Sequence, residues 1–374
     1  MSYRFPRKFR LLATIALAMS FSAWAHAARP SFTEWQDLQV NQVNRYTPHA
    51  DFFGYENRAL ALQGDKTQSN RHLSLDGNWQ FLWSEAVAQR PADFFRPGYD
   101  DSKWAQMPVP GLWELNGYGD PVYVNIGFAW HGQFKDNPPY VPVQGNHVGS
   151  YRRTIDIPAS WRGERVIAHF GSVTSCIYLW VNGQFVGYSE DSKIAAEFDL
   201  TPYVKTGDNQ IAFQVMRWCD GSWCEDQDFW RLSGVARDSY LYARDAKTHV
   251  DDLRITTTLD DQYRDGILTV NAQTTGDAQL SYRLLDAKGE EVVMREQADG
   301  SFRIINPEKW SAETPYLYTL LVTVNGQAAA PKAGKRKRAS SLRVPERQSQ
   351  GLRIDTEGGF LLRVKSRAAR EWQN

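Results

Sequence analysis

A stretch near the middle of the chain, residues 217–234, concentrates the side chains that could do chemistry. It holds four carboxylates and three tryptophans within fourteen residues. Carboxylates accept hydrogen bonds from hydroxyl groups and ligate hard cations, while aromatic rings stack on the apolar faces of flat ligands such as sugars. The stretch therefore indicates a sugar or cation site. The alternative is a solvated turn flanked by core tryptophans.

The three cysteines offer little further chemistry. Cys176 lies in an apolar strand pattern, and we expect a buried free thiol. Cys219 and Cys224 enclose four residues, so an oxidising compartment would permit a disulfide between them, although so short a loop strains disulfide geometry. No cluster of histidine and cysteine has the spacing of a zinc site.

The elements that must position these side chains are strands. Short β-type runs separated by turn residues fill residues 70–245 and predict a jelly roll. The clearest signal is Asn182-Gly183 between two such runs, which predicts a tight hairpin. A second series, from about 253 to 324, has the spacing of a small immunoglobulin-like sandwich. The expected fold is all-β, a jelly-roll β-sandwich followed by an immunoglobulin-like β-sandwich.

The first 27 residues have the pattern of a signal peptide. A basic start is followed by the apolar run Leu11–Ala23 and then by Ala25-His26-Ala27, a small-x-small cleavage pattern. The apolar run is short for a stable membrane anchor, which is the alternative. We expect export to the periplasm or the medium, with no membrane attachment after cleavage.

The remaining chain divides into four segments by composition. They are an N-terminal segment, the jelly roll, the immunoglobulin-like domain and a basic tail expected to be disordered, at residues 28–69, 70–246, 247–328 and 329–374. The formal net charge is zero, yet residues 28–330 hold 27 Lys and Arg against 39 Asp and Glu. This acidic body argues against nucleic acid as a partner. The run Lys335–Arg338 is most simply part of a solvated tail.

Three stretches are specific beyond composition. They contain Asp-Pro-Val-Tyr-Val-Asn-Ile with a following Pro-Pro-Tyr-Val-Pro, then Trp-Val-Asn-Gly-Gln-Phe-Val-Gly-Tyr, then Asp-Gln-Asp-Phe-Trp-Arg, at residues 120–142, 180–188 and 226–231. In this order and spacing they resemble the sugar-binding jelly roll of long bacterial β-galactosidases in glycoside hydrolase family 2. Segments 35–49 and 310–318 also resemble that family, so the resemblance covers about 31–326.

The resemblance implies two substrate-binding residues in this chain. The Asn of the family's Tyr-x-Asn segment matches Asn125, and the second Asp of Asp-Gln-Asp matches Asp228. In the family both contact galactosyl hydroxyls, and the aspartate also ligates a sodium ion. An amide both donates and accepts hydrogen bonds, and a carboxylate suits a hard cation. The alternatives are a turn-forming Asn125 and a salt bridge from Asp228 to Arg231 or Arg237.

The resemblance also implies what this chain does not supply. The family's reaction retains configuration by means of two glutamates, and these, with nearby magnesium ligands, belong to a following barrel. The segments that join the family's second domain to that barrel do not occur after residue 327. A frameshift or premature stop is the simplest cause. We therefore expect no catalytic residue in this chain, and no activity from the chain alone.

The resulting interpretation is the N-terminal part of a β-galactosidase, acting on a β-galactoside and oligomeric as in the parent family. The main alternative is a stand-alone secreted carbohydrate-binding module. A third hypothesis is that the chain is a structural fragment that complements a separately encoded barrel. The DNA just downstream discriminates between them, because a barrel encoded in another frame supports truncation and its absence supports a binding module.

Export provides the first testable prediction. The mature N-terminus should be Ala28, because signal peptidase cleaves after the small-x-small pattern that ends at Ala27. Mass spectrometry of periplasmic or secreted material measures it. Recovery of the chain with intact Met1 in the cytoplasm would contradict the prediction.

Overall fold

The computed structural model describes residues 30–326, apart from Gln133, Lys135, Asp136, Asp226 and Gln227. The predicted signal peptide and the predicted tail, residues 1–27 and 329–374, lie outside the described residues. Strands dominate the described part, and its one α-helix, α1, spans Arg58–Gln63. None of the helices in this part is long and apolar enough to cross a membrane. Short 3-10 helices span Glu34–Gln36, Lys66–Gln68, Val87–Gln89, Glu114–Asn116, Ala159–Trp161 and Asp220–Cys224.

Sixteen strands build the first sandwich. They are β1 (Gln42–Val43), β2 (His72–Ser74), β3 (Gly77–Ser84), β4 (Ala105–Val109), β5 (Gly111–Leu112), β6 (Val122–Val124), β7 (Val148–Ile157), β8 (Arg165–Phe170), β9 (Val173–Thr174), β10 (Cys176–Val181), β11 (Gln184–Ser189), β12 (Ala196–Asp199), β13 (Gly207–Met216), β14 (Phe229–Arg231), β15 (Gly234–Val235) and β16 (Ser239–Arg244). Seven form a sheet in the order β1-β11-β10-β13-β7-β3-β4, and four form a second sheet in the order β12-β8-β16-β2. Strands β5, β15 and β9 form a small third sheet, and β6 and β14 form a two-stranded ribbon.

Aromatic rings fill the space between the two main sheets. Phe213 of β13 stacks on Tyr151 at 4.4 Å between ring centroids and meets Trp79 at 4.9 Å. Phe170, from the opposite sheet, contacts Phe213 edge-on at 5.4 Å. Each of these rings is buried, which contributes roughly 1.5–3 kcal/mol per side chain. The aromatic content of the sequence therefore serves mainly to hold the sandwich together.

The predicted hairpin at Asn182-Gly183 is confirmed. Strands β10 and β11 flank the pair, and both turn residues have positive φ, 50° for Asn182 and 82° for Gly183. A two-residue turn of this kind matches the right-handed twist of the strands it joins, and only Asn, Asp and Gly adopt it readily. The local sequence thus sets the register of β10 against β11.

The second sandwich has seven strands, β17 (His249–Leu259), β18 (Gly266–Thr275), β19 (Ala278–Leu285), β20 (Glu291–Val292), β21 (Arg295–Glu296), β22 (Phe302–Ile304) and β23 (Thr319–Gly326). They form two sheets, in the orders β17-β18-β22-β21 and β20-β19-β23. The predicted all-β fold, a jelly roll followed by an immunoglobulin-like sandwich, is confirmed.

The N-terminal segment joins the two sandwiches. Phe52, Phe53 and Tyr55 belong to one buried cluster with Tyr240 of the jelly roll and Leu320 of the second sandwich. A segment that lies before both domains in sequence therefore lies between them in the fold. Its apolar side chains stabilise the junction by burial from both sides.

A buried carboxylate fastens this segment to the jelly roll. The oxygen atoms of Glu197 on β12 accept hydrogen bonds from His49 at 3.0 Å, His169 at 2.8 Å and the Tyr242 hydroxyl at 2.9 Å. Although burial opposes the charge, the hydrogen bonds from His169 and His49 hold the pKa of Glu197 well below its usual range. Burial likewise opposes the charge on His49, yet its hydrogen bond and charge contact with Glu197 raise its pKa to about 9.

The His49 contact predicts a pH-dependent stability. A histidine whose folded pKa is about 9 and whose ordinary pKa is 6.5 stabilises the fold fully below pH 6.5, and this contribution is lost as pH rises through 9. His49→Gln, which keeps a donor without the charge, should lower the free energy of unfolding by about 2–3 kcal/mol at pH 6 and by little at pH 9.5. Urea unfolding at both pH values measures the difference.

Lys288→Gln, at an exposed turn of the second sandwich, supplies the control and should change stability little at both pH values. An equal loss for His49→Gln at pH 6 and pH 9.5 would contradict the charge contact.

Candidate functional site

The two-stranded ribbon brings together the residues predicted for the site. Val124 faces Phe229 in the β6–β14 ladder, so the next positions outward, Asn125 and Asp228, follow directly from this pair. More than a hundred residues separate Asn125 from Asp228 in the sequence. The antiparallel pairing alone makes them neighbours at the end of the ribbon.

One face of the ribbon is exposed and the other is covered. Because side chains alternate along a strand, the paired residues Tyr123 and Trp230 share one face of the ribbon, and Asn125 and Asp228 follow at the adjacent strand ends. These four side chains are exposed, and Val124, on the opposite face, is buried. The exposed face thus combines two aromatic rings with an amide and a carboxylate, which is the chemistry that the sequence predicted for a sugar site.

Asp228 has a specific partner on this face. The Tyr123 hydroxyl donates a short hydrogen bond to Oδ1 of Asp228, and this bond raises the pKa of the Tyr123 phenol. The predicted alternative, a salt bridge with Arg231 or Arg237, is not found among the described residues. Arg231 and Arg237 instead donate to backbone carbonyl groups of the segments beside them.

Sequence reasoning missed Tyr123 as a site residue. The period of two along β6 was the available signal, because Tyr123 stands two positions before Asn125 and must share its face. The sequence contains no information on the pairing of β6 with β14, so the partner of the hydroxyl could not be named.

The loop before β14 is anchored at its base. The side chain of Asn146 both donates to and accepts from the backbone of Trp218, at 3.1 and 3.0 Å. The Arg217 guanidinium donates to the carbonyl of Asp120 at 3.0 Å, which ties the loop to the segment that leads into β6. These bonds fix the start of the loop and the segment before β6 to the same part of the jelly roll.

The carboxylates and tryptophans that the structure describes in residues 217–234 therefore do not form one site. Trp218 is buried and Trp223 half-buried, and both pack on Trp130 beneath the loop. Asp220 is buried as well, whereas Asp228 and Trp230 reach solvent. Both interpretations of this stretch, a ligand site and a turn flanked by core tryptophans, are thus partly right. Core tryptophans lie at its start and an exposed polar face at its end.

The disulfide that the spacing would permit between Cys219 and Cys224 is not formed. Both residues are free thiols, and the 3-10 helix Asp220–Cys224 leaves Cys219 buried and Cys224 exposed. Cys176 is a buried free thiol, as expected from its strand pattern.

A second group of potential ligand atoms lies inside the loop. Glu190, Cys219 and Asp220 are buried, and one potential ligand atom from each lies within 4.8 Å of the others. Burial, the neighbouring Cys219 and the contact with Asp220 raise the pKa of Glu190 to about 10. Glu190 thus keeps its proton at neutral pH, which lets two carboxyl groups lie together. The Tyr188 hydroxyl donates to Oε1 of Glu190 at 2.8 Å.

Glu190→Gln should therefore stabilise the chain at neutral pH. An acid whose folded pKa exceeds its ordinary value of 4.5 favours folding only in its protonated form, so its cost grows as pH rises above 4.5. The amide mimics the protonated acid and avoids that cost. The expected gain in the free energy of unfolding is about 1–3 kcal/mol at pH 7 and near zero at pH 4.5.

Urea unfolding at the two pH values tests the prediction, with Glu308→Gln at an exposed position as the control. A loss of stability at pH 7 for Glu190→Gln alone would show that Glu190 is charged in the folded state.

Family profiles match the described chain from residue 72 onward. One described as "Glycosyl hydrolases family 2, sugar binding domain" matches residues 72–245, and one described as "Glycosyl hydrolases family 2" matches residues 248–333. The β-galactosidase of Priestia megaterium is 39% identical over 318 residues, which are 80% of this chain and 31% of that protein. The β-galactosidase of Vibrio cholerae is 37% identical over 322 residues, 80% of this chain and 30% of that protein.

Solved structures share the fold at low sequence identity. A β-glucuronidase from an uncultured Clostridium sp. has a TM-score of 0.52 at 20% identity and covers 68% of this chain, which in turn covers 42% of it. A β-glycosidase from Bacteroides vulgatus has a TM-score of 0.51 at 21% identity. The match covers 68% of this chain and 32% of that protein. The chain spans about a third of the length of the curated relatives it matches. Two consecutive domain profiles of one family and these β-galactosidase relatives show that the chain belongs to glycosyl hydrolase family 2.

Proposed function

We propose that this chain is the N-terminal part of a retaining β-galactosidase and that it orients the galactosyl group without catalysing its transfer. The curated relatives are β-galactosidases, and the chain matches about a third of each. An α/β barrel is not present within residues 30–326. The acid and the nucleophile of the reaction therefore come from outside the described residues.

The exposed face of the β6–β14 ribbon carries this proposal. The ribbon brings Asn125 and Asp228, which are distant in sequence, to the same end, and both are exposed there. An amide donates to one hydroxyl and accepts from another, and a carboxylate accepts from hydroxyls only. A sugar with several hydroxyls on neighbouring carbons matches such a pair. Tyr123 and Trp230 on the same face, and Ile126 beyond the end of β6, are also exposed for contact with further protein.

The chemistry that we assign to the barrel of the proposed enzyme is a double displacement. A carboxylic acid protonates the glycosidic oxygen while a carboxylate attacks the anomeric carbon, and water then hydrolyses the glycosyl-enzyme with return of the proton. The residues of this chain would hold the sugar hydroxyls in place during both steps. Their role is to bind and orient, and neither forms nor breaks a bond.

Asp228 also fits the sodium site of the proposal. Its carboxylate is exposed and offers hard oxygen atoms, the donor type that such cations require. Sodium would supply positive charge beside the sugar hydroxyls when bound. A single carboxylate does not complete a coordination shell, so the other ligands, like those for magnesium, would come from the barrel of the proposed enzyme.

We further propose export to the periplasm or the medium.

The chain alone should not hydrolyse a chromogenic β-galactoside. It should restore hydrolysis when it is mixed with a Priestia megaterium β-galactosidase truncated to lack the matching third. In that mixture Asp228→Asn should lower kcat/KM by about 100-fold, because a group that contacts the reacting sugar is lost. Asp261→Asn, at an exposed turn of the second domain, is the control and should have no effect.

Two results would contradict the proposal. Turnover by the purified chain that survives Asp228→Asn would place catalytic groups in this chain. Micromolar galactose binding by the chain alone, abolished by Asp228→Ala, would instead make it a carbohydrate-binding module. We expect no affinity tighter than millimolar. The few hydrogen bonds of an open face contribute about 0.5–1.5 kcal/mol each, against an estimated cost of about 4–15 kcal/mol for lost freedom of motion.

A further inference from the structure

Asp228 is exposed, and an exposed carboxylate has two rotatable bonds with which to leave its working position. Its neighbours on the ribbon restrict it. The Tyr123 hydroxyl donates to Oδ1 of Asp228, and within the described part of the chain Tyr123 is the only hydrogen-bond partner of that carboxylate. A hydrogen bond to one carboxylate oxygen selects one rotamer and leaves the second oxygen available to a ligand.

The ladder explains why this tyrosine can reach the carboxylate. Tyr123 stands opposite Trp230, and Asp228 lies two positions before Trp230 on the same face. Diagonal neighbours in an antiparallel pair are about 7–8 Å apart, which is within reach of a tyrosine side chain. A shorter side chain at position 123 would leave Asp228 without this donor.

Trp230 in turn restricts the tyrosine. Its ring meets that of Tyr123 edge-on, with 5.5 Å between the ring centroids and 61° between the planes. Both rings are 53% exposed, so burial does not hold them and the mutual contact is their main constraint. Edge-to-face contacts of this kind stabilise one relative orientation of two rings. Trp230 thus orients Tyr123, and Tyr123 orients Asp228.

We infer that Tyr123 is a positioning residue of the galactoside site, whose hydroxyl holds the Asp228 carboxylate in the orientation that receives the sugar and its cation. The inference rests on the proposed function for the identity of the ligand. The hydrogen bond itself is a property of this chain and can be tested without a ligand.

The first test uses the intact chain with tyrosine labelled by ¹³C at Cζ. The Tyr123 resonance is the one that disappears in Tyr123→Phe. A carboxylate that accepts from the phenol disfavours its ionisation, so the midpoint of the Tyr123 titration should be lower in Asp228→Asn than in the unmodified chain. At any given pH the Tyr263 resonance should have the same chemical shift in Asp228→Asn as in the unmodified chain, because this exposed residue lies in the second domain. An unchanged Tyr123 midpoint in a folded Asp228→Asn chain would overturn the inference.

The second test uses the mixture with the truncated Priestia megaterium enzyme. Tyr123→Phe keeps the ring contact with Trp230 and removes only the hydroxyl, so kcat/KM should fall roughly fivefold to tenfold. In the Asp228→Asn background the same substitution should cause no further loss, because the hydroxyl acts through the carboxylate. The sodium concentration for half-maximal activity should also rise in Tyr123→Phe and stay unchanged in Tyr263→Phe.

The outcomes separate this inference from the proposed function. Full activity of the Asp228→Asn mixture, or a failure of the unmodified chain to restore activity, would contradict the proposed function and leave the titration result standing. A loss with Asp228→Asn but none with Tyr123→Phe would keep the proposed function and overturn the positioning role. Additive losses in the double variant would also overturn it, because they would mean that Tyr123 acts independently of Asp228.

Discussion

The backbone ladder between β6 and β14 holds two short strands in a single register, with Val124 opposite Phe229 and Tyr123 opposite Trp230. Side chains alternate with a period of two, so a shift of one residue on β14 would move Asp228 to the other face of the ribbon. The hydrogen bond from Tyr123 to Asp228 depends on this register. The bonds of Arg217 and Asn146 tie the segment that leads into β6 and the start of the loop before β14 to the same part of the jelly roll.

Two buried glutamates avoid in opposite ways the free-energy cost of burying an unpaired carboxylate charge. Glu197 stays charged, because His49 and His169 donate hydrogen bonds to its two oxygen atoms. Among the described residues Glu190 forms no ion pair with a cation, so burial and the contacts with Cys219 and the carboxyl group of Asp220 raise its pKa and it keeps its proton. An isolated buried charge costs several kcal/mol, and both arrangements avoid that cost. Glu197 thereby fastens the N-terminal segment to the jelly roll, while Glu190 lies under the loop that carries the site.

The N-terminal segment makes the two sandwiches into one unit. Phe52 and Phe53 pack against both domains, and the carboxylate of Glu197 holds His49 a few residues earlier. Residues that precede both domains in the sequence therefore contribute to the apolar cluster that contains side chains of both. The ribbon face belongs to the first sandwich alone, and its rings remain exposed to solvent.

Several features were determined by the sequence alone, because they depend on residues close together in the chain. Asn182-Gly183 specified a hairpin through the positive φ that both residues tolerate, and the alternating strands between turns specified an all-β fold. The family resemblance named Asn125 and Asp228, whose roles as substrate and metal ligands stay predictions. Tertiary structure alone decided the remainder, because pairing between distant strands and burial of individual side chains are not encoded in local pattern. It brought Tyr123 to Asp228, buried Asp220 and Trp218 while exposing Trp230, and separated Cys219 from Cys224.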